Sequence, residues 1–478
     1  MDFIGRRQEL EELSGLIKRD HSSLVVIKGR RRIGKSTLAV EFSKKFNQFF
    51  RFEGLAPRQG QTAEDQLGEF AKQLQRQFAI PKVSFSDWGE AFTFLASQLT
   101  NQKTLILFDE ISWMSQGDLD FAGKLKIAWD QAFSPKKSLI LILCSSVSSW
   151  IEKNILHHTN FIGRISLVIR LQELKLSEAA QFWGKRAKVV GTKEILSILA
   201  VTGGIPKYLT EIEPRNSANQ NIERLCFTSG GYLFEDFERI FSDIFGRRAQ
   251  IYRKIVSQLA EKSLTATGIA TKLKIGLNGD LLDYLDDLKQ SGFISEQRNY
   301  LPNGRRARIR SYKLQDNYLR FYLKYISPNS DAIKSGLFKF SSLSALVNWD
   351  TILGLQVENL ILSRIPEVIN ALGLASERII SAAPYIQRKT NKVQPCQIDL
   401  LLTSRSGVYY VIEIKSGNLV EINAVKEVQA KIEKLKFTKK SVFRPVLIHS
   451  GELSSGVLSA DYFDIILNIE SLLRGVQN

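Results

Sequence analysis

A glycine-rich segment of eight residues constrains the fold of this chain more than any other part of its sequence. The segment GRRRIGKS at 29–36 has the spacing G-x-x-x-x-G-K-[ST]. It lies between an apolar run, LVVIK at 24–28, and a helical pattern, STLAVEFSKKF. The glycines let such a loop wrap closely round a phosphate, and its N–H groups face the negative oxygens together with those of the next helix. The sequence therefore predicts a strand, loop and helix that bind a nucleotide.

The predicted nucleotide site covers the whole loop and the start of the helix after it. Lys35 would contact the β- and γ-phosphates, and Ser36 would hold Mg²⁺. The other predicted nucleotide-binding positions are Gly29, Arg30, Arg31, Arg32, Ile33, Gly34 and Thr37. ATP and Mg²⁺ are the cofactors that this pattern implies.

Two acids end a second apolar run, TLILFDE at 104–110. Alone, such a pair would more often cap a helix than take part in catalysis. In a P-loop enzyme, however, the first acid holds Mg²⁺, and an adjacent glutamate can orient and deprotonate the attacking water. Because the phosphate loop lies upstream, we expect Asp109 to bind the nucleotide's metal and Glu110 to be catalytic.

Two later segments supply further candidates for the same site. The run LILILC ends in Ser145 and Ser146, which either lie beside the γ-phosphate or cap the segment that follows. Arg164 follows a glycine just before another apolar run, and we take it as the candidate arginine finger. A surface arginine at a turn is the alternative explanation.

The composition is that of an ordinary globular protein, with 44% hydrophobic and 24% charged residues. A length of 478 residues predicts about three domains. The three cysteines are far apart and include no C-x-x-C pair, which argues against a disulfide framework or a thiolate zinc site and favours a reducing cytoplasm. No apolar run approaches the roughly 18 to 20 residues of a membrane span, so we expect a cytoplasmic protein without a membrane partner.

Five segments together resemble the prokaryotic, archaeal-type ATPases of the AAA+/STAND group. They are FIGRRQEL at 3–10, the phosphate loop, the Asp109-Glu110 pair, the Gly163-Arg164 pair and TGGIPKYL at 202–209. The resemblance covers the first 210 residues and implies an α/β fold with a P-loop NTPase parallel sheet at 1–175. It also implies a helical lid at 176–243 that senses the nucleotide. The family often has an aromatic Pro-Tyr after the acids, where this chain has Ile111-Ser112-Trp113.

Residues 244–326 carry an unusual share of the net charge of +17, with 16 basic and 7 acidic residues. Short helical patterns followed by a basic hairpin-like stretch predict a winged helix-turn-helix whose wing arginines contact phosphates. These arginines are Arg305, Arg306, Arg308 and Arg310. Four aspartates lie on the predicted recognition helix and oppose this interpretation, namely Asp280, Asp283, Asp286 and Asp287. DNA is the favoured partner, and a protein-contact role stays open.

The region 327–478 contains two apolar runs with acids, QIDLLLT and VYYVIEIK, on either side of a turn. A hairpin centred near residue 406 makes Asp399 and Glu413 cross-strand partners, and Lys415 points to the same face as Glu413. Two carboxylates and a lysine on apolar strands either pair with one another or bind a hard cation such as Mg²⁺. A structural salt bridge is the alternative.

This arrangement resembles the PD-(D/E)xK nucleases, which implies a restriction-endonuclease-like α/β domain. By that resemblance Asp399 and Glu413 hold the metal and Lys415 serves the attacking water. Glu358 is the candidate for the family's helical acid, and Gln429 for its helical glutamine. No proline immediately precedes Asp399, which departs from the family pattern.

The sequence as a whole predicts an ATP-hydrolysing protein that couples its nucleotide state to DNA binding and Mg²⁺-dependent phosphodiester cleavage. One alternative is a nucleotide-switched regulator or scaffold with an inactive nuclease-like domain. Another is a DNA-binding transcriptional regulator. A homo-oligomer is compatible with each of them.

Overall fold

The computed structural model describes residues 3–58, 60–146, 148–300, 306–387, 389, 394–435 and 441–475. The chain forms two compact units. The first contains Met1–Gln172, Glu238–Arg253 and Asp283–Gly292, and the second contains Glu173–Phe237, Lys254–Leu282 and Phe293–Asn478. None of the helices in this described part of the chain combines the length and apolar character needed to cross a membrane.

Strands and helices alternate through residues 7–170. The strands are β1 (Ser23–Lys28), β2 (Gln48–Glu53), β3 (Thr104–Asp109), β4 (Leu139–Ser145) and β5 (Ile165–Arg170). The helices are α1 (Arg7–Leu16), α2 (Lys35–Ser43), α3 (Ala63–Phe78), α4 (Trp88–Gln98), α5 (Ile111–Met114), α6 (Phe121–Ala128) and α7 (Ser148–Ile151). Short 3-10 or π-helical segments lie at Trp129–Phe133, Glu152–Leu156 and Thr159–Phe161.

The five strands of the first unit form one parallel sheet in the order β2-β3-β4-β1-β5. β1, β3 and β4 are buried along their whole length, as expected of continuous apolar runs in a sheet covered on both faces. The α/β fold with a parallel sheet is thus confirmed. In such a sheet the loops after β1, β3 and β4 leave the same edge, which is where ligands bind in open α/β folds.

The helices that follow residue 170 are shorter on average. They are α8 (Leu176–Ala180), α9 (Thr192–Thr202), α10 (Pro206–Leu209), α11 (Ala218–Cys226), α12 (Tyr232–Phe245), α13 (Ala249–Leu259), α14 (Ala266–Leu273), α15 (Gly279–Gln290), α16 (Asn317–Phe321), α17 (Ser330–Lys334), α18 (Trp349–Leu362), α19 (Ile365–Ala371), α20 (Asn423–Lys434), α21 (Ser455–Ser459) and α22 (Ile469–Arg474). Short 3-10 or π-helical segments lie at Gln181–Lys188, Gly246–Arg248, Tyr322–Ile326, Ser327–Asn329 and Leu343–Ala345.

The remaining strands belong to the second unit. They are β6 (Ile294–Tyr300), β7 (Arg306–Leu314), β8 (Ile379–Gln387), β9 (Cys396–Ser404), β10 (Val408–Lys415), β11 (Leu419–Val420), β12 (Val442–His449), β13 (Glu452–Leu453) and β14 (Ile465–Asn468). β6 and β7 form an antiparallel hairpin, and β11 pairs with β13. The order of α13, α14, α15 and this hairpin matches the predicted module at 244–326, and its assignment as a winged helix stays a prediction.

A mixed five-stranded sheet forms the centre of the C-terminal region, in the order β14-β12-β10-β9-β8. β8, β9 and β10 are antiparallel neighbours, whereas β12 is parallel to both β10 and β14. α18 precedes the antiparallel strands, and α20 crosses from β10 to β12. This sheet holds the predicted carboxylate pair.

One hydrophobic core extends through the predicted lid and the C-terminal region. Its buried members include Leu199 and Leu209 from the lid, Val357 and Ile361 from α18, and Ile412 from β10. All of these residues belong to the second unit. The segments predicted as 176–243 and 327–478 therefore share one core, although the sequence suggested separate domains.

Candidate functional site

The phosphate loop joins β1 to α2, as the sequence predicted, and both of its end glycines meet a steric requirement. Gly34 has a φ of +92°, which favours glycine. A Cβ on Gly29 would lie 2.7 Å from the carbonyl oxygen of Leu171. Ser36 and Thr37 lie in the first turn of α2, and Ser36 is half-buried. The loop therefore has the backbone shape that a phosphate cradle needs.

The arginines of the loop differ in their surroundings. Arg30 is buried, whereas Arg31 is half-buried, forms an ion pair of 2.9 Å with Asp243 and lies over the ring of Trp113. Arg32 has a φ of +70°, an uncommon conformation for a residue with a side chain. Ile33 between this arginine and Gly34 is fully buried.

Lys35 is buried, and its ammonium is held within the loop. Nζ donates hydrogen bonds to the carbonyl oxygens of Gly29 and Arg30, both at 3.1 Å, and to Oγ of Ser146 at 2.9 Å. Burial lowers the pKa of Lys35, and the nearby Glu110 carboxylate partly offsets this effect. The lysine therefore points into the hollow of the loop.

Ser146 connects Lys35 to Glu110. Its Oγ donates to Oε1 of Glu110 at 2.5 Å, and its backbone N–H donates to Oε2 at 2.9 Å. Ser145 instead donates from Oγ to Oγ of Ser112 at 2.8 Å. The sequence left open whether Ser145 and Ser146 lie beside the phosphate site or cap the next segment. The structure shows that Ser146 contacts the phosphate-loop lysine.

Asp109 is 1% exposed, and its two carboxylate oxygens differ in their partners. Its Oδ2 accepts a hydrogen bond of 2.8 Å from Nη2 of Arg51, whereas its buried Oδ1 has no hydrogen-bond partner. A buried ionised oxygen without a partner is costly, and a hard cation satisfies it. Asp109, with the hydroxyl of Ser36, therefore fits the Mg²⁺ that a nucleotide brings.

Arg164 lies at the amino ends of the parallel strands, whereas the phosphate loop lies at their carboxyl ends. It directly precedes β5, whose first residue pairs with Leu24 near the start of β1. The phosphate loop follows the other end of β1, and a six-residue strand spans roughly 17 Å. Nε and Nη2 of Arg164 donate to both oxygens of Asp130, at 2.6 and 2.9 Å, and these bonds lower the pKa of Asp130 to about 2. The structure does not bring Arg164 to its own phosphate loop.

The hairpin of the C-terminal region has the predicted register. Tyr410 pairs with Leu402 and Ile412 with Leu400, which continues toward Asp399 and Glu413 as cross-strand neighbours. The backbone N–H of Ile414 donates to Oδ2 of Asp399 at 2.9 Å. The prediction of this register from the turn alone is confirmed.

Lysines surround the Glu413 carboxylate. Lys415 lies 3.1 Å from its Oε1, and Nζ of Lys431 donates to its Oε2 at 2.5 Å. Lys415 also donates to Glu427 on α20, one helical turn before Lys431, at 2.7 Å. Gln429, the glutamine suggested by resemblance, is exposed, so α20 presents Glu427 and Lys431 to the site in its place.

Asp399 has a strongly shifted proton affinity. Burial, and then the neighbouring Glu413 carboxylate, raises its pKa to about 7, although the hydrogen bond from Ile414 opposes this shift. Burial alone would lower the pKa of Lys415, but its bonds to Glu427 and Glu413 raise it. A raised carboxyl pKa beside a charged partner is common at functional sites.

Glu358 does not complete a set of three acids with Asp399 and Glu413. Its Oε1 accepts a hydrogen bond of 2.7 Å from Nζ of Lys313 on β7. Within the described ranges no group of three or more His, Cys, Asp or Glu side chains has the geometry to hold a metal ion. The expectation that Glu358 joins the other two acids is not met in this structure, because Lys313 holds it.

The wing residues are only partly described. Arg305 lies outside the described residues, and Arg306 and Arg308 are described only as positions on β7. Arg310 is exposed and lies 3.6 Å from the Glu296 carboxylate. Three of the four aspartates of α15 are exposed, and the fourth, Asp287, accepts a hydrogen bond from the hydroxyl of Tyr252.

Sequence reasoning missed two charged residues of these sites. Arg51 is two positions from Glu53 on β2, which pairs with Asp109, but nothing in the sequence aligned β2 with β3. Lys431 follows Glu427 at a helical spacing of four, so a search for α20 residues on one face would have found it.

Comparison with known proteins agrees with the predicted nucleotide site at the phosphate loop. Residues 3–212 match a protein-family model described as an ATPase domain predominantly from Archaea. This match contains the phosphate loop, the Asp109-Glu110 pair and the segment at 202–209. The chain therefore carries an ATPase domain of the archaeal P-loop type.

Similar whole proteins also exist. An uncharacterized protein of Methanocaldococcus jannaschii is 25% identical over 350 residues, covering 72% of this chain and 74% of that protein. A Walker-type ATPase of Pyrococcus abyssi has a TM-score of 0.46 at 20% identity, covering 67% of this chain and 96% of its own. The ORC2 protein of Aeropyrum pernix has a TM-score of 0.42 at 15% identity, covering 70% and 96%.

Proposed function

We propose that this chain binds ATP together with Mg²⁺ and hydrolyses it at the phosphate loop. The observation that carries the proposal is the hydrogen-bonded series from Lys35 through Ser146 to Glu110. It lies beside Asp109, whose Oδ1 is buried and has no hydrogen-bond partner. A phosphate-binding cation, a polar sensor, a general base and a metal ligand thus come from three adjacent strand ends.

Each residue has a separate role in this proposal. Lys35 exchanges its bonds to loop carbonyls for bonds to the phosphates, and the backbone N–H groups of the loop bind the same oxygens. Glu110 accepts a proton from the water that attacks the γ-phosphorus, while the bond between that phosphorus and the bridging oxygen breaks to release ADP. Ser36 and Asp109 would hold Mg²⁺, which supplies charge neutralisation on the phosphates.

The position of Arg164 bears on the oligomeric state. Arg164 lies at the strand ends opposite its own phosphate loop. An arginine finger at this position would therefore serve the nucleotide site of a neighbouring copy. A homo-oligomer in which Arg164 leaves Asp130 and reaches a second chain's nucleotide is therefore part of the proposal.

Two substitutions test the phosphate site. Lys35→Ala should abolish or greatly weaken ATP binding, whereas Glu110→Gln should keep ATP binding and slow hydrolysis by about 10²-fold or more. Lys44→Ala, at the exposed end of the same helix, is the matched control for the lysine. Hydrolysis by Glu110→Gln at the wild-type rate would show that Glu110 is not the base.

DNA binding by the module at 244–326 is proposed on the strength of its charge. If the wing contacts phosphates, removal of Arg305, Arg306, Arg308 and Arg310 together should weaken binding and flatten its dependence on salt. The control removes Lys272 and Lys274, which are exposed near the end of α14 in the same module. Equal affinity and salt slope in a folded wing variant would favour a protein-contact role.

A second candidate activity is metal-dependent cleavage of phosphodiesters in the C-terminal region. The observation that favours it is the convergence of Asp399, Glu413 and Lys415 at the end of the β9–β10 hairpin. The acids are the ligands that Mg²⁺ prefers, and Lys415 could position the attacking water. The rival function is a nucleotide-switched scaffold in which the same side chains form only a salt-bridge cluster.

Titration with Mn²⁺ and a cleavage assay separate the two. Under the nuclease proposal, Asp399→Ala loses both metal affinity and cleavage, whereas Lys415→Ala loses cleavage and keeps most of the metal affinity. Lys426→Ala, an exposed lysine on α20, serves as the control. A wild-type protein that binds no Mn²⁺ and cleaves neither DNA nor RNA, with or without ATP, would leave the scaffold function.

A further inference from the structure

We propose that Lys313 is a latch that holds the C-terminal site closed, and that the site takes up a divalent cation only after Lys313 releases Glu358. This inference rests on the second candidate activity above, because it concerns the same acids. It adds a control element that lies on a different segment of the chain, the β6–β7 hairpin.

The latch is a largely buried ion pair. Nζ of Lys313 donates to Oε1 of Glu358 at 2.7 Å, and the two side chains are 11% and 14% exposed. Lys313 lies on β7, and Glu358 lies on α18. Buried opposite charges with good geometry are mutually dependent, because the loss of one leaves the other uncompensated. The pair therefore removes Glu358 from any other role while it persists.

Glu358 is nevertheless close to the carboxylates of the hairpin. Gly354 lies one helical turn earlier on the same face of α18, and a Cβ at that position would be 3.7 Å from Oγ of Ser416. Ser416 directly follows Lys415 at the end of β10. The charge of Glu358 is also among those that raise the pKa of Asp399. The helix thus carries its acid toward the site, and Lys313 holds the carboxylate.

The charge balance explains why release of Glu358 would favour a cation. Lys415 and Lys431 pair with the two oxygens of Glu413, and Lys415 also pairs with Glu427, so the carboxylates of Asp399, Glu413 and Glu427 already share two lysines. Release of Glu358 adds a fourth carboxylate to this group. Four acids against two lysines leave a larger net negative charge, which favours a hard cation with oxygen ligands.

The latch also has room to open. Lys313 lines a cleft of about 530 Å³ together with Arg298, Gln315 and Asn359. A long, flexible lysine side chain can rotate into such a space without movement of the backbone. An anion bound in the cleft would compete with Glu358 for the ammonium.

The test is calorimetric titration of nucleotide-free, full-length protein with Mn²⁺. All proteins carry Asp109→Asn, so that the phosphate site does not contribute. We expect Lys313→Met to bind Mn²⁺ at least about tenfold more tightly than the parent protein. The reason is that the Lys313 ammonium, which lies within 3 Å of the Glu358 carboxylate and competes with the cation for it, is gone. Addition of Asp399→Asn should abolish the gain. Lys334→Met, which removes an exposed positive charge on α17 of the same unit, should leave the affinity unchanged.

The outcomes distinguish the latch from the activity on which it rests. Equal Mn²⁺ affinity in the parent and in Lys313→Met, lost in both with Asp399→Asn, would keep the metal site and overturn the latch. Absence of Mn²⁺ binding in every variant would overturn both. Thermal unfolding checks that Lys313→Met is folded. If it is not, Lys313→Gln replaces it, since the glutamine can still donate a hydrogen bond to Glu358 without the charge.

Discussion

Arg51 holds two acids at the edge of the parallel sheet with one guanidinium nitrogen. Its Nη2 donates to Oε2 of Glu53 at 3.0 Å and to Oδ2 of Asp109 at 2.8 Å. Burial raises the pKa of Glu53, and Arg51 opposes that shift. The arginine therefore joins the carboxylate of Glu53 on β2 to the buried carboxylate of Asp109 on β3.

Arg51→Met should destabilise the protein by about 2 kcal/mol, because a nearly buried carboxylate loses a charged hydrogen bond. The matched control is Arg76→Met, which removes an exposed arginine that pairs only at the surface with Glu69 at 3.0 Å. Such a pair contributes about 0–1 kcal/mol. Urea unfolding measures both changes. Equal effects of the two substitutions would mean that the bond to Asp109 adds no stability.

The raised pKa of Asp399 predicts a pH dependence of stability in metal-free buffer. The folded protein keeps a proton on Asp399 up to about pH 7, whereas the unfolded chain loses it near the ordinary value of 3.8. The folded state therefore binds more protons between these values, and stability falls as the pH rises through this window. The urea midpoint of the wild type should drop from pH 5 to pH 8 more than that of Asp399→Asn. Parallel pH profiles would contradict the shift.

At the scale of elements, three glutamines of α3 cover the outer edge of β2 and of the segment that directly follows it. Each amide exchanges two hydrogen bonds with one backbone position, namely Gln66 with Leu55, Gln73 with Glu53 and Gln77 with Arg51. β2 is the edge strand of its sheet, so its outward N–H and C=O groups would otherwise be open to another chain. The helix thus takes the place of a sixth strand.

Among these three glutamines, Gln66 should contribute most to the free energy of unfolding. Gln66 is 2% exposed, so Gln66→Leu removes two hydrogen bonds to the backbone of the half-buried Leu55, at a cost of about 2 kcal/mol. Gln73→Leu uncovers the backbone of Glu53, which is exposed and can bond to water, so its cost should be clearly smaller. Urea unfolding of the two variants checks this order. A larger loss from Gln73→Leu would contradict it.

The difference between local and long-range patterns explains which features the sequence could predict. The phosphate loop and the β9–β10 register depend on residues within about twenty positions, and both were predicted correctly. The bonds of Arg51 to Asp109 and of Lys313 to Glu358 join residues 58 and 45 positions apart. Such contacts depend on how whole elements pack, which a single sequence does not specify.

At the scale of the whole second unit, the predicted lid and the C-terminal region are joined by polar contacts as well as by their common core. The carboxylate of Glu173 accepts hydrogen bonds from the N–H of Gly204, at 2.9 Å, and from Nη2 of Arg364, at 3.2 Å. Gly204 belongs to the segment that resembles the family's nucleotide-sensing lid. This segment is therefore joined through Glu173 to the start of α19.

A buried arginine makes a second junction in the same unit. Arg320 is 2% exposed and donates to the carbonyl oxygens of Ala260 and Leu314 and to Oε1 of Gln356. These partners come from the module at 244–326 and from α18. Burial lowers the pKa of Arg320 to about 10, and its three bonds offset part of the cost of placing a charge there. The module at 244–326 and the C-terminal region are thus tied at one point.

If the lid and the C-terminal region share a core, a cavity made on one side should loosen the other. Val357→Ala removes two methyl groups from α18 at a fully buried position of the common core and should lower the free energy of opening of α9 by about 2 kcal/mol. Val428→Ala is the matched control, because Val428 is equally buried on α20 but belongs to a separate hydrophobic cluster of the C-terminal sheet. Hydrogen exchange of α9 amides measures the effect, since local opening sets the exchange rate. We expect the α9 amides to exchange faster in Val357→Ala and at nearly the wild-type rate in Val428→Ala. Unchanged exchange rates of α9 in both variants would mean that the packing of the lid helices alone stabilises α9.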